Sequence, residues 1–467
     1  MIVTHVTLQD FRSYSRAELD LTEGVTVLVG QNGVGKTNVV EALAYLSTQD
    51  SHRVAHDAPL IRFGADHAWI GARVVRGTQK TDVELELIPG RANRARINRS
   101  NPHRAREALG ILRSVLFSPE DLELVNGDPG ARRRFIDDLV VQLRPDQAAV
   151  RSEYERVLKQ RNALLKSVRA GGGRFTDAHA TTLDVWDEHL AVHGARMLRN
   201  RVHVLGLLAP HLESAYASLT DGSKTATARY SSTVTGANGV LPPMADAVGQ
   251  GPHAAPELIG ASDEALKVLL LRALAQARQR ETERGLTLVG PHRDEVVLGL
   301  GPAPAKGFAS HGESWSMALA LRLASYVVLT EDDPSPASRP VLMLDDVFAE
   351  LDAKRRAALV STVNDAQQVI VTAAVREDVP SELDATLVPV GPGWIGEEPT
   401  VGDAESSAQA EPPAQIEVVE QDQVDERPRT GDHAEPVEPP ASSAQDRQIE
   451  RDREEDSRVV GGDGDDA

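Results

Sequence analysis

Apolar and polar positions alternate along residues 2–8 and run almost entirely β-branched or apolar through 25–29, which predicts two strands, the second ending at a glycine. Residues 38–47 then take helical spacing, and Val74, 83–88 and 95–98 read as further strands. From 131 to about 219 the pattern is predominantly helical, with apolar residues three and four apart, as in Tyr154, Val157 and Leu158 and again at Leu164 and Leu165. The stretch is too short and irregular for a long coiled coil, and the run Ala170, Gly171, Gly172, Gly173 predicts a hairpin between two helices. Residues 221–263, rich in Gly, Ser, Thr, Ala and Pro, read as a mobile connection holding one strand at 226–234. Strands are expected again at 286–289, 295–300, 341–344 and 369–372, with a helix over 317–329, and there is no internal repeat.

The strand at 25–29 feeds Gly30, Gln31, Asn32, Gly33, Val34, Gly35, Lys36 and Thr37, and the helix follows at once. A phosphate-binding loop requires this strand, loop, helix order. Glycines let backbone N–H groups close around phosphate oxygens, and the helix N-terminus adds partial positive charge. Lys36 is expected to reach the β- and γ-phosphates, and Thr37 to offer its hydroxyl to Mg²⁺. Val341, Leu342, Met343 and Leu344 form the matching apolar run, ending in Asp345 and Asp346 about 310 residues further on. Asp345 is suited to hold the metal and Asp346 to polarise an attacking water, so Lys36, Asp345 and Asp346 are the catalytic candidates. The wide spacing predicts a split ATPase: one nucleotide head built from both chain ends around a large insertion.

Two further segments flank the second half of the head. Ser310, His311, Gly312 and Glu313 precede the helix at 317–329, where small residues serve either as helix-cap material or to aim backbone N–H groups at an anion. Gly290, Pro291, His292, Arg293 and Asp294 sit between two short strands and suggest a role near the nucleotide or at a lobe interface.

Length alone predicts about two to four domains for 467 residues. The absence of cysteine excludes a disulfide framework or thiolate metal site and fits a cytoplasmic protein, as does the lack of a signal segment or long apolar run. Net charge is −20, but residues 397–467 hold 22 Asp/Glu and 6 Arg, leaving the remainder at −4. That acidic tail has too little apolar content to offset chain entropy and is expected to be disordered. Against the near-neutral body, residues 91–106 carry six arginines and no acid, and Arg132, Arg133 and Arg134 follow at a helix start. Arg94, Arg96, Arg99, Arg104, Arg132 and Arg133 are therefore candidates for DNA phosphate contacts. Solvated loops explain the same pattern equally simply.

Taken together, these segments resemble the RecF family of recombination mediators, DNA-repair ATPases with an ABC-type head related to SMC proteins. The resemblance is carried by Phe11, Arg12, Ser13 and Tyr14, the phosphate loop, Ser51 to Arg53, Leu116 to Leu122, Arg132 to Asp137, Leu158 to Asn162, Trp186 with Asp187, Arg284 to Asp294 and Leu344 to Asp352. It covers nearly all of residues 1–395. The fold it implies is α/β, an ABC-type ATPase head assembled from both chain ends with an inserted, mainly helical second lobe. The expected divisions are 1–115 and 285–396 for the head, 116–284 for the helical lobe and connection, and 397–467 for the tail. Arg12 and Asn38 join the loop residues in the nucleotide set, Ser310, Gly312 and Glu313 act in trans on a second subunit's nucleotide, and Asp352 and Thr372 hold the D-loop and switch positions. ATP and Mg²⁺ are the implied cofactors.

The same resemblance implies a homodimer that closes on ATP around duplex DNA beside a single-strand gap, opens on slow hydrolysis, and works with RecR and RecO to promote RecA loading. The sequence departs from the family where His311 replaces a glutamine and Ser314 and Trp315 replace glutamine and arginine. A transporter ATPase is disfavoured by the long helical insertion, by the missing Leu-Ser-Gly-Gly-Gln sequence and by the absence of a switch histidine. An ATPase-coupled nuclease would need a further acidic cluster, and the middle of the chain offers no clear set.

Overall fold

The chain starts as an antiparallel hairpin, β1 (Ile2–Phe11) on β2 (Tyr14–Asp20), and then enters β3 (Gly24–Val29) and helix α1 (Lys36–Thr48). Strands β4 (Ala68–Arg76), β5 (Gln79–Leu87), β6 (Arg94–Ile97) and β7 (His103–Arg104) extend the first sheet in the order β2-β1-β4-β5-β6-β7. After β8 (Ser114–Phe117) come helices α2 (Leu122–Asn126), α3 (Pro129–Leu143), α4 (Gln147–Ala170) and α5 (Asp177–Leu219), then β9 (Ala226–Ser231) and α6 (Asp263–Arg284). The last third holds β10 (Glu295–Leu300), β11 (Ala303–Pro304), α7 (His311–Asp332), β12 (Val341–Asp345), α8 (Ala353–Asp365), β13 (Gln368–Ala373), β14 (Ala385–Gly391) and β15 (Trp394–Ile395). This computed structural model describes residues 1–396 except 172–174, 223, 237–239, 242–247 and 249–250, all within one compact unit, Met1–Glu411.

The second six-stranded sheet, β15-β14-β3-β13-β12-β8, is parallel from β14 through β8 and draws on both chain ends. Its central strands are buried on both faces, which is why they read as continuous Val, Leu and Ile runs without polar alternation. Successive side chains point to opposite faces and so enter different cores. Leu28, Met343 and Ile370 pack with α1 and the antiparallel sheet, while Val27, Leu344, Val369 and Val371 pack with α3, α5 and α7. The boundary expected at 115/116 falls inside β8, whose register with β12 is Val341 to Ser114 through Leu344 to Phe117.

Helices α4, α5 and α6 share a smaller apolar core around Tyr154, Val157, Leu190 and Leu274. Arg161, fully buried, donates from Nε to Asp187 at 2.6 Å, from Nη2 to Glu281 at 2.6 Å and from Nη1 to the Thr287 hydroxyl at 2.8 Å. An unpaired charge at such depth is strongly unfavourable, so the ions persist only as a saturated set. The set also explains a difference from the sequence reading. Residues 286–289 form no strand, because their N–H groups are used elsewhere: Leu286 donates to the Glu281 carbonyl, Thr287 to Asn162 Oδ1 and Leu288 to Glu281 Oε1, and Gly290 just beyond donates to Thr233 Oγ1.

The turn at 290–294 belongs to this junction between lobes. Asp294 is buried and accepts from Ser232 Oγ, Tyr230 Oη and Thr233 N and Oγ1. His292, pushed down to about 3 by burial, is neutral, with Nδ1 2.7 Å from the Tyr154 hydroxyl and Nε2 3.2 Å from the Thr287 carbonyl. Helix α6 has no counterpart among the sequence expectations, although Leu266, Leu270, Leu274 and Ala277 sit at three- and four-residue spacing along its buried face. The centre of the expected Gly171–Gly173 hairpin, parts of 221–263 and all of the acidic tail lie outside the described residues. Among the described residues no helix is long and apolar enough to cross a membrane.

Replacing Arg161 by Met leaves Asp187 and Glu281 buried without it, so urea denaturation is expected to report a loss of about 3–5 kcal/mol. Arg16→Ala, which removes a half-exposed pair with Glu18, is expected to cost less than about 1 kcal/mol. Equal losses would remove the buried set from the account of lobe stability.

Candidate functional site

The loop after β3 turns because three glycines occupy positions closed to other residues. Gly33 and Gly35 have φ of +86° and +119°, and a Cβ on Gly30 would lie 2.2 Å from the Val390 carbonyl oxygen. Helix α1 opens behind Gly35 with no side-chain cap and no acid in its first turn, so the positive end of its dipole is not neutralised within the helix. Lys36 Nζ folds over the loop and donates to Gly30 O at 2.7 Å, Gln31 O at 3.2 Å and Asn32 Oδ1 at 3.3 Å. Val34 N closes weakly on Gln31 O at 3.5 Å. The arrangement is a cationic, donor-rich concavity of the kind that takes polyphosphate.

Parallel pairing brings the distant half alongside. Register aligns Asp345 with Thr372 and Thr372 with Leu28, so β13 stands between β3 and β12 at their C-terminal edge. Thr37 Oγ1 donates to Asp345 Oδ1 at 3.0 Å and Thr372 Oγ1 donates to the same oxygen at 2.6 Å. Burial pushes the Asp345 carboxyl up to about 6 against those two hydrogen bonds, with the charges of Asp346 and Glu120 adding to the rise. Hard oxygens on Thr37 and Asp345, with a second carboxylate at Asp346 adding negative charge, fit a Mg²⁺ ion. Among the described residues no group of three or more His, Asp or Glu side chains is placed to hold a metal, so an ion here would draw its other ligands from phosphate and water. Asp346 has φ +51° and its N–H donates to Thr372 Oγ1 at 3.0 Å, which fixes the turn that carries its carboxylate past the strand end.

Arg12 and Asn38 border the same loop. Arg12 binds Glu41 through Nε at 2.8 Å and Nη2 at 2.6 Å, and its Nη1 donates to the Pro59 carbonyl. Glu41, fully buried one turn into α1, also takes Ser51 Oγ at 2.6 Å and Arg53 Nη1 at 3.2 Å. Burial alone would raise this carboxyl; the Arg12 and Ser51 bonds and the two guanidinium charges reverse that and hold it below the usual range. Sequence reasoning misses Glu41, since an acid on a helix reads as solvent-facing until its burial is known.

Ser310 caps α7: Glu313 N donates to its Oγ at 3.3 Å and Ser310 N donates to Glu313 Oε2 at 2.8 Å. Lys224, with these bonds, brings the Glu313 carboxyl down to about 2. Arg355 then ties this helix start to the next, donating to Gly312 O at 2.9 Å, Ser316 Oγ at 2.8 Å and Asp352 Oδ2 at 2.6 Å. Asp352 is the N-cap of α8, and its i,i+3 relation to Arg355 is the available sequence signal. Within the chain, the hydrogen bonds of Ser310, Gly312 and Glu313 run to one another, to Ser314 and Ser316 within the helix, to Lys224 and to Arg355, and none runs to the phosphate loop. Ser314 and Trp315 are buried in the core beneath them, so these departures from the family pattern face inward.

The arginine candidates separate. Arg132 is corrected: it is buried and paired with Glu295 through Nε at 2.9 Å and Nη2 at 3.0 Å, leaving nothing for a phosphate. Arg133 is half-buried and donates to the Asp294 carbonyl. Arg94 and Arg96 lie opposite Glu86 and Glu84 on β5, acids that a linear reading of 91–106 does not see. Arg99, at φ +58° in the turn after β6, and Arg104 are exposed.

Asp345 gives a pH test in the absence of metal and nucleotide. Its folded value lies above the unfolded one, so stability from this group falls as pH rises from about 4 to about 6 and stays lost above that range. Asp345→Asn does not titrate and is expected to raise stability at pH 8 by up to about 3 kcal/mol, the gain vanishing near pH 4. A gain of the same size at both pH values would assign the effect to packing.

The sequence matches the family described as RecF/RecN/SMC N terminal domain over residues 2–388. It is 56% identical over 402 residues to a DNA replication and repair protein RecF from Pseudarthrobacter chlorophenolicus, spanning 85% of this chain and 100% of that protein. To the protein of the same name from Streptomyces avermitilis it is 51% identical over 398 residues, 85% of this chain and 99% of the relative. A solved structure named as the recombination mediator protein RecF-ATPrS in the RecFOR pathway shares the fold, with a TM-score of 0.71 at 23% identity over 84% of this chain and 97% of that one. With more than half of its aligned residues identical across the full length of such relatives, the chain belongs to the RecF family of DNA replication and repair proteins, ABC-type ATPases of the RecF/RecN/SMC group.

Proposed function

We propose that this protein is an ATP-gated DNA clamp of recombinational repair and replication restart. The observation that carries the proposal is the joining of Thr37 to Asp345 by a 3.0 Å hydrogen bond, while the capped start of α7 makes no bond to the loop in its own chain. The loop backbone from Gly30 to Gly35 and Lys36 would bind the polyphosphate of ATP, and Thr37 with Asp345 would hold Mg²⁺. When bound, that ion neutralises phosphate charge. Asp346 would orient the attacking water and accept its proton, and Thr372 keeps Asp345 and the Asp346 turn in register. Ser310, Gly312 and Glu313 of a second copy would complete each site, so ATP would favour a homodimer with two nucleotides at its interface.

Arg355 supports a coupling role, because a shift of the α7 start on contact with a second copy is passed directly to Asp352 and α8. The relatives are named as DNA replication and repair proteins and the solved neighbour as a recombination mediator of the RecFOR pathway. By that kinship, gapped duplex DNA, the mediators RecR and RecO and the downstream recombinase RecA are the proposed partners, and the cytoplasm the proposed site of action. Arg99 and Arg104 are the best candidates for phosphate contact; Arg94 and Arg96 stand opposite Glu86 and Glu84 across the strand pair, and Arg133 is bonded to the Asp294 carbonyl.

Sedimentation with ATP is expected to show more dimer than with ADP, and Ser310→Arg to abolish the difference while ATP still binds. Lys36→Ala should abolish ATP-dependent binding to gapped DNA; ATP-dependent binding that survives Lys36→Ala would defeat the clamp reading. Replacing Arg99 and Arg104 together by Ala is expected to reduce the salt slope of DNA binding by about 1 for each removed arginine that neutralised a phosphate. An unchanged slope would return both side chains to the solvated surface.

A further inference from the structure

Glu313 places a carboxylate in the first turn of α7, beside Ser310 and Gly312, where a second copy's nucleotide would arrive. Lys224 and the cap bonds hold that carboxyl down at about 2, so it is ionised throughout the neutral range. An anion in this place repels a γ-phosphate at close range unless a cation stands with it. Resting on the two-copy reading of the site, we propose that Lys224 is that cation and that its ammonium binds the γ-phosphate of the ATP held by the second copy.

Lys224 belongs to none of the sequence motifs and lies in the link between α5 and β9. Its Nζ donates to Glu313 Oε1 at 2.5 Å while 46% of the side chain is open to solvent. An ammonium has three N–H donors, and this bond uses one. The backbone on either side is held. Thr220 closes α5 with its Oγ1 on the Tyr216 carbonyl at 2.8 Å, and its own carbonyl accepts from Lys354 Nζ at the start of α8. Gly301 N donates to the Thr225 carbonyl at 2.8 Å, just ahead of the register that pairs Ala226 with Leu300. With both ends of the link fixed, the side chain is what a ligand has to order.

Fold stability does not explain the placement of the lysine, because a half-exposed Lys and Glu pair adds little to it. Arg355, the other cation bonded to this turn, has Nε on Ser316 Oγ, Nη1 on Asp352 Oδ2 and Nη2 on the Gly312 carbonyl, which leaves no nitrogen for a phosphate. Ser314 and Trp315, next along α7, are buried. The positive charge that reads the partner's nucleotide therefore comes from the inserted segment and not from α7 itself. Since the link continues directly from α5, which packs on α4 and α6, the same contact ties the helical lobe to the nucleotide of the other copy.

The test is sedimentation of the full chain with ATP and with ADP, alongside ATP binding at protein concentrations too low for dimers. Lys224→Ala is expected to weaken ATP-dependent dimerisation by about 10- to 150-fold for each interface site, the range for a hydrogen bond to a charged group, and to leave ATP affinity of the single head within about twofold. Lys224→Arg keeps the charge and is expected to retain most of the dimer. Lys224→Ala combined with Glu313→Gln removes both charges and is expected to remain defective. Full recovery of the dimer in that double variant would reduce Lys224 to a neutraliser of Glu313 and overturn the phosphate contact. A Lys224→Ala protein that dimerises on ATP as the wild type does, or that changes only the salt slope of DNA binding, would overturn it as well. If the wild type dimerises no more with ATP than with ADP, the clamp reading itself falls and this assignment with it.

Discussion

Six residue pairs, from Gln368 with Gly24 to Ala373 with Val29, join β13 to β3 in parallel. Around them Gln368 accepts from Val3 N at 2.7 Å and donates to Val3 O at 2.7 Å, and the N-terminal ammonium reaches the Gln367 side chain. The Val3 and Gln368 pairing bridges 365 residues. Loop-closure entropy rises only logarithmically with length, so a separation this wide is tolerable once the strands it joins are fully buried. Everything proposed for the site depends on this closure, since Lys36 and Thr37 come from one end of the chain and Asp345 and Thr372 from the other.

The helical lobe is anchored by a different kind of interaction. Arg161, Asp187, Glu281 and Thr287 come from three helices and the segment after them, and each charge is tolerable only in the presence of the others. The neighbouring pair of Arg201 with Asp137 and the pair of Arg132 with Glu295 fasten α5 and α3 to the 290–295 turn. Directional contacts of this sort fix one relative placement of helices where apolar packing alone would accept several.

Site chemistry and fold stability pull against each other at Asp345. A buried carboxylate with two hydroxyl donors and a second acid beside it is uncomfortable as an anion, and a bound cation would relieve it. The α1 start shows the opposite imbalance, with no side-chain cap, no acid in the first turn and Lys36 folded onto loop oxygens. Stability is surrendered on both sides of the site, and ligand binding would recover it.

The sequence by itself determined the three central strands of the parallel sheet, β3, β12 and β13, because strands buried on both faces must be continuously apolar, and it determined the phosphate loop, because glycines are needed at those backbone angles; β8 and β14 were not legible in it. It also located Asp345, Thr372 and the capped start of α7 from strand ends and cap residues, all local signals. Tertiary structure alone decided which charges are interior. Arg132 sits in a run of arginines that reads as surface, yet its partner Glu295 lies 163 residues away. Glu41, Arg161 and Arg355 gained their roles in the same way, and Glu84 and Glu86 came to face the arginines of β6 only through pairing. A side chain's type and neighbours along the chain set its chemistry, but burial and charge partners arise from contacts between distant segments, and those exist only once the sheet has closed.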